Sequence, residues 1–286
     1  MILWLLVAIP CLAHDDSGTR GDSGIFGPSY QTLLNQSEAL QTQYPDLTTL
    51  IDYGKTVGGR TMRMLVVKRD VAISGERPTV IIDGTIHGNE FLNIEDRAPA
   101  AILGLANKEG AVNRFLERGG AFVFVPILNP DGYEKRRREN NNGKDLNRDW
   151  DVPSIQHKGF TQPETKLLAQ KLAELKTVDR LGYKLNVDYH CCAGAAMHPR
   201  AYTTTPIPSA EYDRLFKLGS LSKQIIGCDY GSWMDVLGYL ARGTTLDYFF
   251  ETYGTYSFTF EGEYGSENKR FNQHVNWWQA MLERIS

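Results

Sequence analysis

The 286-residue sequence has few cysteines, little net charge and no long apolar segment, and each of these features excludes a class of protein. Four cysteines are too few to form a disulfide framework, so a hydrophobic core must hold the fold. A formal net charge of -3 gives no reason to expect nucleic acid or an anionic membrane as a partner. Hydrophobic residues make up 42% and charged residues 23%, which is typical of a folded globular protein.

The N-terminal apolar stretch is too short to span a bilayer. Residues 1–13, MILWLLVAIPCLA, end in small residues and are typical of a cleaved signal peptide, although a positively charged start is missing. Residues 14–28 are rich in Gly, Ser and Asp and predict a flexible leader. We therefore expect an exported protein, secreted or periplasmic, without stable membrane insertion. The alternative interpretation is a buried N-terminal strand.

Three cysteines follow the predicted signal peptide, at Cys191, Cys192 and Cys228. An odd number leaves at least one thiol unpaired within the chain. In an oxidising compartment, a disulfide between Cys228 and either Cys191 or Cys192 is a plausible pairing.

Apolar β-rich runs alternate with helical patterns along the rest of the chain. Four such runs cover residues 79–86, 121–128, 184–189 and 256–261, after a predicted hairpin with a Gly-Gly turn at residues 50–69. Helical patterns cover residues 30–44, 91–107, 163–176, 209–226 and 270–285. This alternation predicts an α/β fold, a three-layer α/β/α arrangement with a central mixed, mostly parallel sheet. One domain over residues 29–286 is the simplest organisation.

Each of the four runs is followed by residues that can do chemistry. The first leads to His87 and Glu90, the second to the sequence NPDG at residues 129–132, the third to His190, and the fourth ends at Glu261. In open α/β sheets, ligands bind beyond the carboxyl ends of the strands. We therefore expect these side chains to form one site.

Histidine and glutamate are good zinc ligands, and a catalytic zinc takes three protein ligands and leaves one position open. His87 and Glu90 can reach one metal if the chain turns into a helix between them, and His190 would be the third ligand. Glu261 would then serve as a proton acceptor for an attacking water. Each residue alone has an ordinary structural explanation, but their combination favours a zinc ion. We interpret the neighbouring Cys191 and Cys192 as structural, because thiolates favour closed zinc sites and two more ligands would remove the open position.

At these residues the sequence resembles the zinc metallocarboxypeptidases of the carboxypeptidase A/B family, peptidase M14. The resemblance covers nearly the whole chain from residue 30. It rests on four motifs in family order: HGNE at 87–90, NPDGYE at 129–134, DLNRDW at 145–150 and YSFTFEGE at 256–263. The family implies a fold of the zinc carboxypeptidase type and one zinc ion per chain.

The resemblance also implies catalytic roles. His87, Glu90 and His190 would bind zinc, and Glu261 would be the general base and acid. Arg138, seven residues before Asp145, would polarise the scissile carbonyl group.

A further set of matching residues would bind substrate. Asn147 and Arg148 would grip its C-terminal carboxylate, and Tyr239 would close over it. Leu246 would lie at the floor of the specificity pocket, which implies an apolar C-terminal residue, although Arg242 nearby could favour acidic groups. Asp149 stands where asparagine is commoner and is expected to add a negative charge near the carboxylate-binding pair.

The function implied is hydrolysis of the C-terminal residue of peptides or proteins by a monomeric zinc enzyme. One rival is an enzyme that acts on bacterial cell-wall peptides with the same catalytic residues. A second rival, a zinc amidoacylase resembling the aspartoacylase group, shares the HxxE motif but is disfavoured by the other motifs. A third is a catalytically inactive binding module on the same fold. It is disfavoured because all the matching positions are filled.

Overall fold

The computed structural model describes residues 27–263 and 269–285. The predicted signal peptide and most of the predicted leader lie outside these residues. Among the described residues, no helix combines the length and apolarity needed to cross a bilayer.

The strands and helices have the following bounds. The strands are β1 Thr48–Lys55, β2 Thr61–Lys68, β3 Arg77–Gly84, β4 Ala121–Val125, β5 Leu181–Cys191, β6 Ala195–His198, β7 Asp229–Ser232 and β8 Tyr256–Gly262. The helices are α1 Tyr30–Gln43, α2 Ala98–Ala106, α3 Ala111–Glu117, α4 Pro130–Lys135, α5 Pro163–Val178, α6 Ser209–Ile225, α7 Trp233–Leu237, α8 Thr245–Tyr253 and α9 Phe271–Ile285. Short 3-10 turns lie at Leu146–Arg148 and Pro153–Ile155.

The strands form one mixed sheet in the order β1-β2-β4-β3-β5-β8-β6-β7. The central strands β4, β3, β5 and β8 are parallel to one another. The predicted hairpin is present as the antiparallel pair β1 and β2, and β2 and β6 also pair antiparallel with their central neighbours. The predicted α/β fold with a mixed sheet is therefore confirmed.

Both faces of the sheet are covered, as near-continuous apolar strands require. Residues Val80 and Ile82 of β3 join a core that contains side chains of α2, α3, α6 and α9. Ile81, between them, points to the other face and joins a core with α5 and α8. The alternation of side chains along one strand thus builds two cores and three layers.

Two details differ from the sequence-based prediction. The helical pattern at residues 91–107 gives a helix only from Ala98, because residues 86–97 form turns. The short elements α3, α4, α7, α8, β6 and β7 were not predicted, since segments of four to nine residues carry little periodic signal.

The parallel direction of the central strands determines where the candidate site residues lie. The carboxyl ends of β3, β5 and β8 lie side by side, with Gly84 opposite Tyr189 and His190 opposite Glu261. The residues that follow these ends are brought together at one edge of the sheet, as predicted.

Candidate metal centre and substrate cleft

His87 and Glu90 lie in a tight turn directly after β3. The Glu90 amide donates to the His87 carbonyl at 2.9 Å, so the chain forms a turn here and not the helix expected from the sequence. Gly88 packs against α4 so closely that a Cβ atom would lie 2.0 Å from the Gly132 carbonyl carbon. A side chain at position 88 would therefore push the turn away from α4.

Asn129 of the NPDG motif holds this turn in place. Its side-chain nitrogen donates to the Ile86 carbonyl at 3.1 Å and to the Arg138 carbonyl at 3.2 Å, and its oxygen accepts from the Gly132 amide at 2.9 Å. The side chain is fully buried. The motif therefore has a structural function: it connects the turn after β3 to the loop that carries Arg138.

The structure brings His87, Glu90 and His190 together. His87 Nδ1 lies 2.9 Å and His190 Nδ1 3.1 Å from the same atom, Glu90 Oε2. One possible ligand atom from each residue lies within 4.8 Å of the others, and all three residues are buried. Two imidazole nitrogens and a carboxylate oxygen that converge in this way match a three-ligand zinc site with one position left open.

The opposite ring nitrogens also have carboxylate partners. His87 Nε2 lies 3.0 Å from Asp145 Oδ1, and His190 Nε2 lies 2.9 Å from Asp188 Oδ2. Metal-bound histidines in proteins have such a partner on the second nitrogen, which orients the ring and makes it a better ligand. The arrangement of these residues therefore fits zinc.

Hydrogen bonds and neighbouring charges shift the pKa values of Glu90 and His190. Burial acts to raise the pKa of Glu90, but hydrogen bonds from His190 and His87 hold it well below its usual value. Burial acts to lower the pKa of His190, but the charge and hydrogen bond of Asp188, together with Glu90, raise it well above its usual value. The carboxylates around the two histidines thus favour a positive charge at this site, as a divalent cation would supply.

Arg138 lies at the rim of this group. Its guanidinium donates to Glu90 Oε1 at 3.1 Å and, through Nη2, to Asp145 Oδ2 at 2.9 Å. Asp145 also accepts from the Asn147 amide at the start of a 3-10 turn. A single carboxylate therefore orients a candidate ligand, a candidate catalytic arginine and the loop that carries Asn147.

Glu261 lies at the end of β8, next to His190 in the parallel register. It is 7% exposed, and burial raises the pKa of its carboxyl group, an effect that the nearby His190 partly offsets. A carboxyl group with a raised pKa accepts and returns protons more readily near neutral pH.

A cleft opens beside these groups. It is lined by His87, Glu90, Arg138, Asn147, His190, Cys191, Cys192, Ala193, Trp233, Leu237, Tyr239 and Glu261. The cleft contains seven of the nine site residues expected from the sequence.

The predicted substrate-binding residues differ in burial and in their contacts. Asn147 is buried, and its oxygen accepts from the Thr245 amide at 3.0 Å, which leaves its nitrogen toward His190. Tyr239 is 46% exposed and contacts the Trp233 ring edge-on. Arg148 lies beside the cleft, where its Nη1 donates to the Asn147 carbonyl at 2.6 Å.

Leu246 does not reach the cleft surface formed by the described residues. It is fully buried in a small apolar cluster with Trp233 and Ala241. Any effect of Leu246 on the cleft therefore passes through its neighbours in this cluster, which include Trp233 and Leu237.

Asp149 does not direct its carboxylate toward Asn147 and Arg148, contrary to the expectation from the sequence. Its carboxylate accepts from the amides of Thr161 and Gln162 at 2.9 and 3.0 Å, at the N-terminus of α5. A negative charge at this end of a helix is favourable. Asp149 therefore stabilises the start of α5 and is not among the described residues that line the cleft.

Sequence analysis missed several residues of the site. Asp188 was detectable, because it lies two positions before His190 in a strand and must share its face. Trp233 and Leu237 carried no such signal, because their place in the cleft depends on how the short helix α7 packs after β7.

The cysteines are also placed differently from the expectation. The sulfur atoms of Cys191 and Cys192 point at each other beside the cleft, whereas Cys228 is buried in the core. The predicted pairing with Cys228 is therefore wrong.

The family model described as zinc carboxypeptidase matches residues 33–275. The chain belongs to the zinc carboxypeptidase family. It is 24% identical to carboxypeptidase A4 of Mus musculus over 89% of this chain and 68% of the mouse protein. It is 25% identical to metallocarboxypeptidase A of Trichophyton rubrum, over 78% of this chain and 60% of the fungal protein. It thus spans only about two thirds of the length of these relatives.

Solved structures show the same fold. The crystal structure of thrombin activatable fibrinolysis inhibitor superposes with a TM-score of 0.78, at 19% identity over 90% of this chain and 74% of that chain. Murein-tripeptide amidase MpaA from Escherichia coli O157 matches with a TM-score of 0.53, at 17% identity over 92% of this chain and 95% of that chain. Another relative, 28% identical over 64% of this chain and 44% of its own, is the inactive metallocarboxypeptidase ecm14 of Schizosaccharomyces pombe.

Proposed function

We propose that this protein is a zinc-dependent metallocarboxypeptidase that hydrolyses the C-terminal residue of peptides. The observation that carries the proposal is the convergence of His87, Glu90 and His190 in a cleft that Glu261 also lines. One zinc ion per chain, bound by these three residues, would lower the pKa of a water molecule and polarise a carbonyl group.

The side chains of the cleft suit the remaining steps. The Glu261 carboxylate accepts the proton of the attacking water and then passes it to the leaving amine. The Arg138 guanidinium donates to the carbonyl oxygen as negative charge develops on it, a contribution of about 3–4 kcal/mol for a well-placed donor. Because Arg138 contacts Glu90 and Asp145 at rest, it is already held at the rim of the cleft.

Substrate orientation falls to the residues on the other side of the cleft. Asn147 and Arg148 bind the free C-terminal carboxylate, which restricts cleavage to the last residue. Arg148 must release the Asn147 carbonyl to do so, and the half-exposed Tyr239 closes over the bound peptide. We propose a preference for apolar C-terminal residues, because Trp233 and Leu237 line the cleft and pack in one apolar cluster with Leu246.

The proposal extends to the organisation of the chain. Residues 29–286 would form one catalytic domain that acts as a monomer after export and loss of residues 1–13. Expression with the native N-terminus, followed by mass measurement of the exported protein and light scattering, tests these points. A retained N-terminus or a stable dimer would contradict them.

The test of activity is hydrolysis of blocked dipeptides with free C-termini that end in Phe, Leu, Lys, Arg, Glu or diaminopimelate. We expect release of Phe and Leu, and no release after treatment with a chelator or when the C-terminus is amidated. Glu261→Gln should retain zinc and lose most turnover; full activity of this variant would refute the role of Glu261.

The same panel decides between the rivals. Release of diaminopimelate alone, or of nothing until cell-wall peptides are offered, would assign the protein to cell-wall peptides, the chemistry named for the murein-tripeptide amidase that shares the fold. Stoichiometric zinc without hydrolysis of any peptide would identify an inactive binding module.

A further inference from the structure

The segment between β3 and α2 carries two of the three candidate zinc ligands, His87 and Glu90, yet it has no regular secondary structure. Residues 85–97 are here named the ligand loop. Thr85, at its start, has a φ of 53°. This left-handed conformation is unfavourable for a β-branched residue, because the side chain crowds the backbone. Contacts elsewhere in the fold must therefore hold Thr85 in it.

The Glu95 side chain closes the ligand loop. Its Oε1 atom accepts from Thr85 Oγ1 at 2.9 Å and from the Leu92 amide at 3.3 Å. Its Oε2 atom accepts from the Ile94 amide at 3.0 Å. One carboxyl group is therefore bonded to both ends of the loop, and the two candidate ligands lie between these ends.

The Glu95 carboxyl group is fully buried. Burial raises its pKa to about 7, and Asp96 adds to the rise, whereas hydrogen bonds from Thr85 and the Leu92 amide oppose it. The carboxylate form, which accepts from all three donors, therefore predominates at pH 8. Glu95 is not among the described residues that line the cleft, so it acts on the site through the ligand loop.

The backbone at Thr85 determines where the two ligands lie. The Asn129 amide donates to the Thr85 carbonyl at 3.2 Å, and His87 follows two residues later. The third candidate ligand, His190, comes from another strand and does not move with the ligand loop. A rotation of the backbone at Thr85 would therefore move His87 and Glu90 relative to His190.

We propose that Glu95 is a positioning residue of the zinc site. Its carboxylate holds Thr85 in the left-handed conformation and closes the ligand loop, so that His87 and Glu90 converge with His190. The inference rests on the proposed function, but its first readout is zinc affinity, which does not depend on hydrolysis.

The experiment compares Glu95→Gln with the parent at pH 8. Glutamine has nearly the same shape but turns an NH₂ group toward a donor that needs an acceptor. We expect zinc affinity, measured by competition with a chromophoric chelator, to fall at least about tenfold, as for other residues that orient metal ligands. At saturating zinc, kcat for a blocked dipeptide ending in Phe should fall at least about tenfold, because the ligands are misplaced. KM should change little, since Asn147 and Arg148 lie outside the ligand loop.

Glu164→Gln is the matched control. Glu164 is also fully buried, and burial raises its pKa. It accepts from the Val57 amide at 3.2 Å and from Asn140 Nδ2 at 3.1 Å, in the first turn of α5. This variant should bind zinc like the parent. Equal losses of affinity in the two variants would show that any buried carboxylate has this effect, and the inference would be overturned.

A double variant, E95Q/T85G, tests the route through Thr85. Glycine adopts a φ of this sign without a side chain to crowd the backbone, so the double variant should regain at least about threefold of the affinity that E95Q loses. The inference is overturned if nothing is regained, or if E95Q binds zinc like the parent. If circular dichroism shows that E95Q does not fold, Thr85→Val, which removes the donor to Glu95, must bind zinc more weakly than Thr85→Ser; equal affinities would overturn the inference.

The zinc measurements separate this inference from the proposed function. If the parent binds zinc but hydrolyses no peptide, the proposed function is overturned, and the zinc affinities of the variants alone decide the role of Glu95. If the parent binds no zinc, both are overturned.

Discussion

His190 Nε2 lies 2.9 Å from Asp188 Oδ2, and the two side chains are 1% and 0% exposed. The contact fixes the ring with Nδ1 toward Glu90, the orientation that a metal ligand needs. Asp83 lies opposite Asp188 in the neighbouring strand and is equally buried, but its contact is with Asn186. The pair of aspartates therefore offers a matched comparison between a carboxylate that orients a ligand and one that does not.

We predict that Asp188→Asn weakens zinc binding about 10- to 100-fold, because the partner of a ligating histidine loses its charge. Zinc affinity measured by competition with a chromophoric chelator tests this. Asp83→Asn should bind zinc like the parent, since burial raises the pKa of Asp83 well above its usual value and its side-chain contact is with Asn186 and not with a candidate ligand. Equal losses in the two variants would mean that buried charge in general, and not the contact with His190, controls affinity.

Arg138→Met should lower kcat about 10²- to 10³-fold while zinc stays bound, because a donor to the developing oxyanion is lost. The measurement is steady-state hydrolysis of the blocked Phe dipeptide together with zinc content. Arg137→Met removes the same charge from the exposed neighbouring position and should have little effect. A loss of zinc from Arg138→Met that accounts for the whole fall in rate would show that the arginine acts only by holding Glu90.

Asp247 gives the protein a pH-dependent stability that is separate from the metal centre. Burial raises the pKa of its carboxyl group to about 7 from 3.8. The folded state therefore holds a proton that the unfolded state has lost between these values, so the contribution of Asp247 to stability falls as pH rises toward 7 and is constant above it.

Asp247→Asn should abolish this contribution. Relative to the parent, the variant should gain on the order of 2 kcal/mol of unfolding free energy between pH 5 and pH 8, at about 1.4 kcal/mol per pKa unit. Urea unfolding of both proteins at the two pH values tests it. Glu95, whose pKa burial also raises to about 7, contributes equally to both proteins and cancels in the difference. A difference that does not change with pH would contradict the raised pKa of Asp247.

The part of the site that depends on strand direction could be predicted from the sequence. Parallel strands end at the same edge of a sheet, so the sequence alone was enough to place His190 and Glu261 together. It did not predict the turn at His87, because that turn depends on the close approach of Gly88 to Gly132 in a distant helix. The position of Asp149 depends in the same way on where α5 begins.

Specificity was harder to predict because part of the cleft wall comes from the short helix α7 and the residues after it. The resemblance placed Leu246 at the floor of the specificity pocket, yet it is buried in a cluster with Trp233 and is not among the described residues that line the cleft. Leu237, which lines the cleft, had no motif to mark it. Loop paths follow from packing across the whole molecule, and a local pattern does not contain that information.

Leu237 therefore gives the sharpest test of the proposed apolar preference. Leu237→Asp places a negative charge in the cleft, which disfavours an apolar C-terminal side chain and favours a basic one. We expect the ratio of kcat/KM for dipeptides ending in Phe and in Arg to fall at least about tenfold, equivalent to ~1.4 kcal/mol. Leu240→Asp is the matched control, because Leu240 is 48% exposed and lies outside the cleft lining formed by the described residues. If both variants change the ratio equally, long-range charge sets the preference; if neither does, the C-terminal side chain binds elsewhere and Trp233 is the next residue to replace.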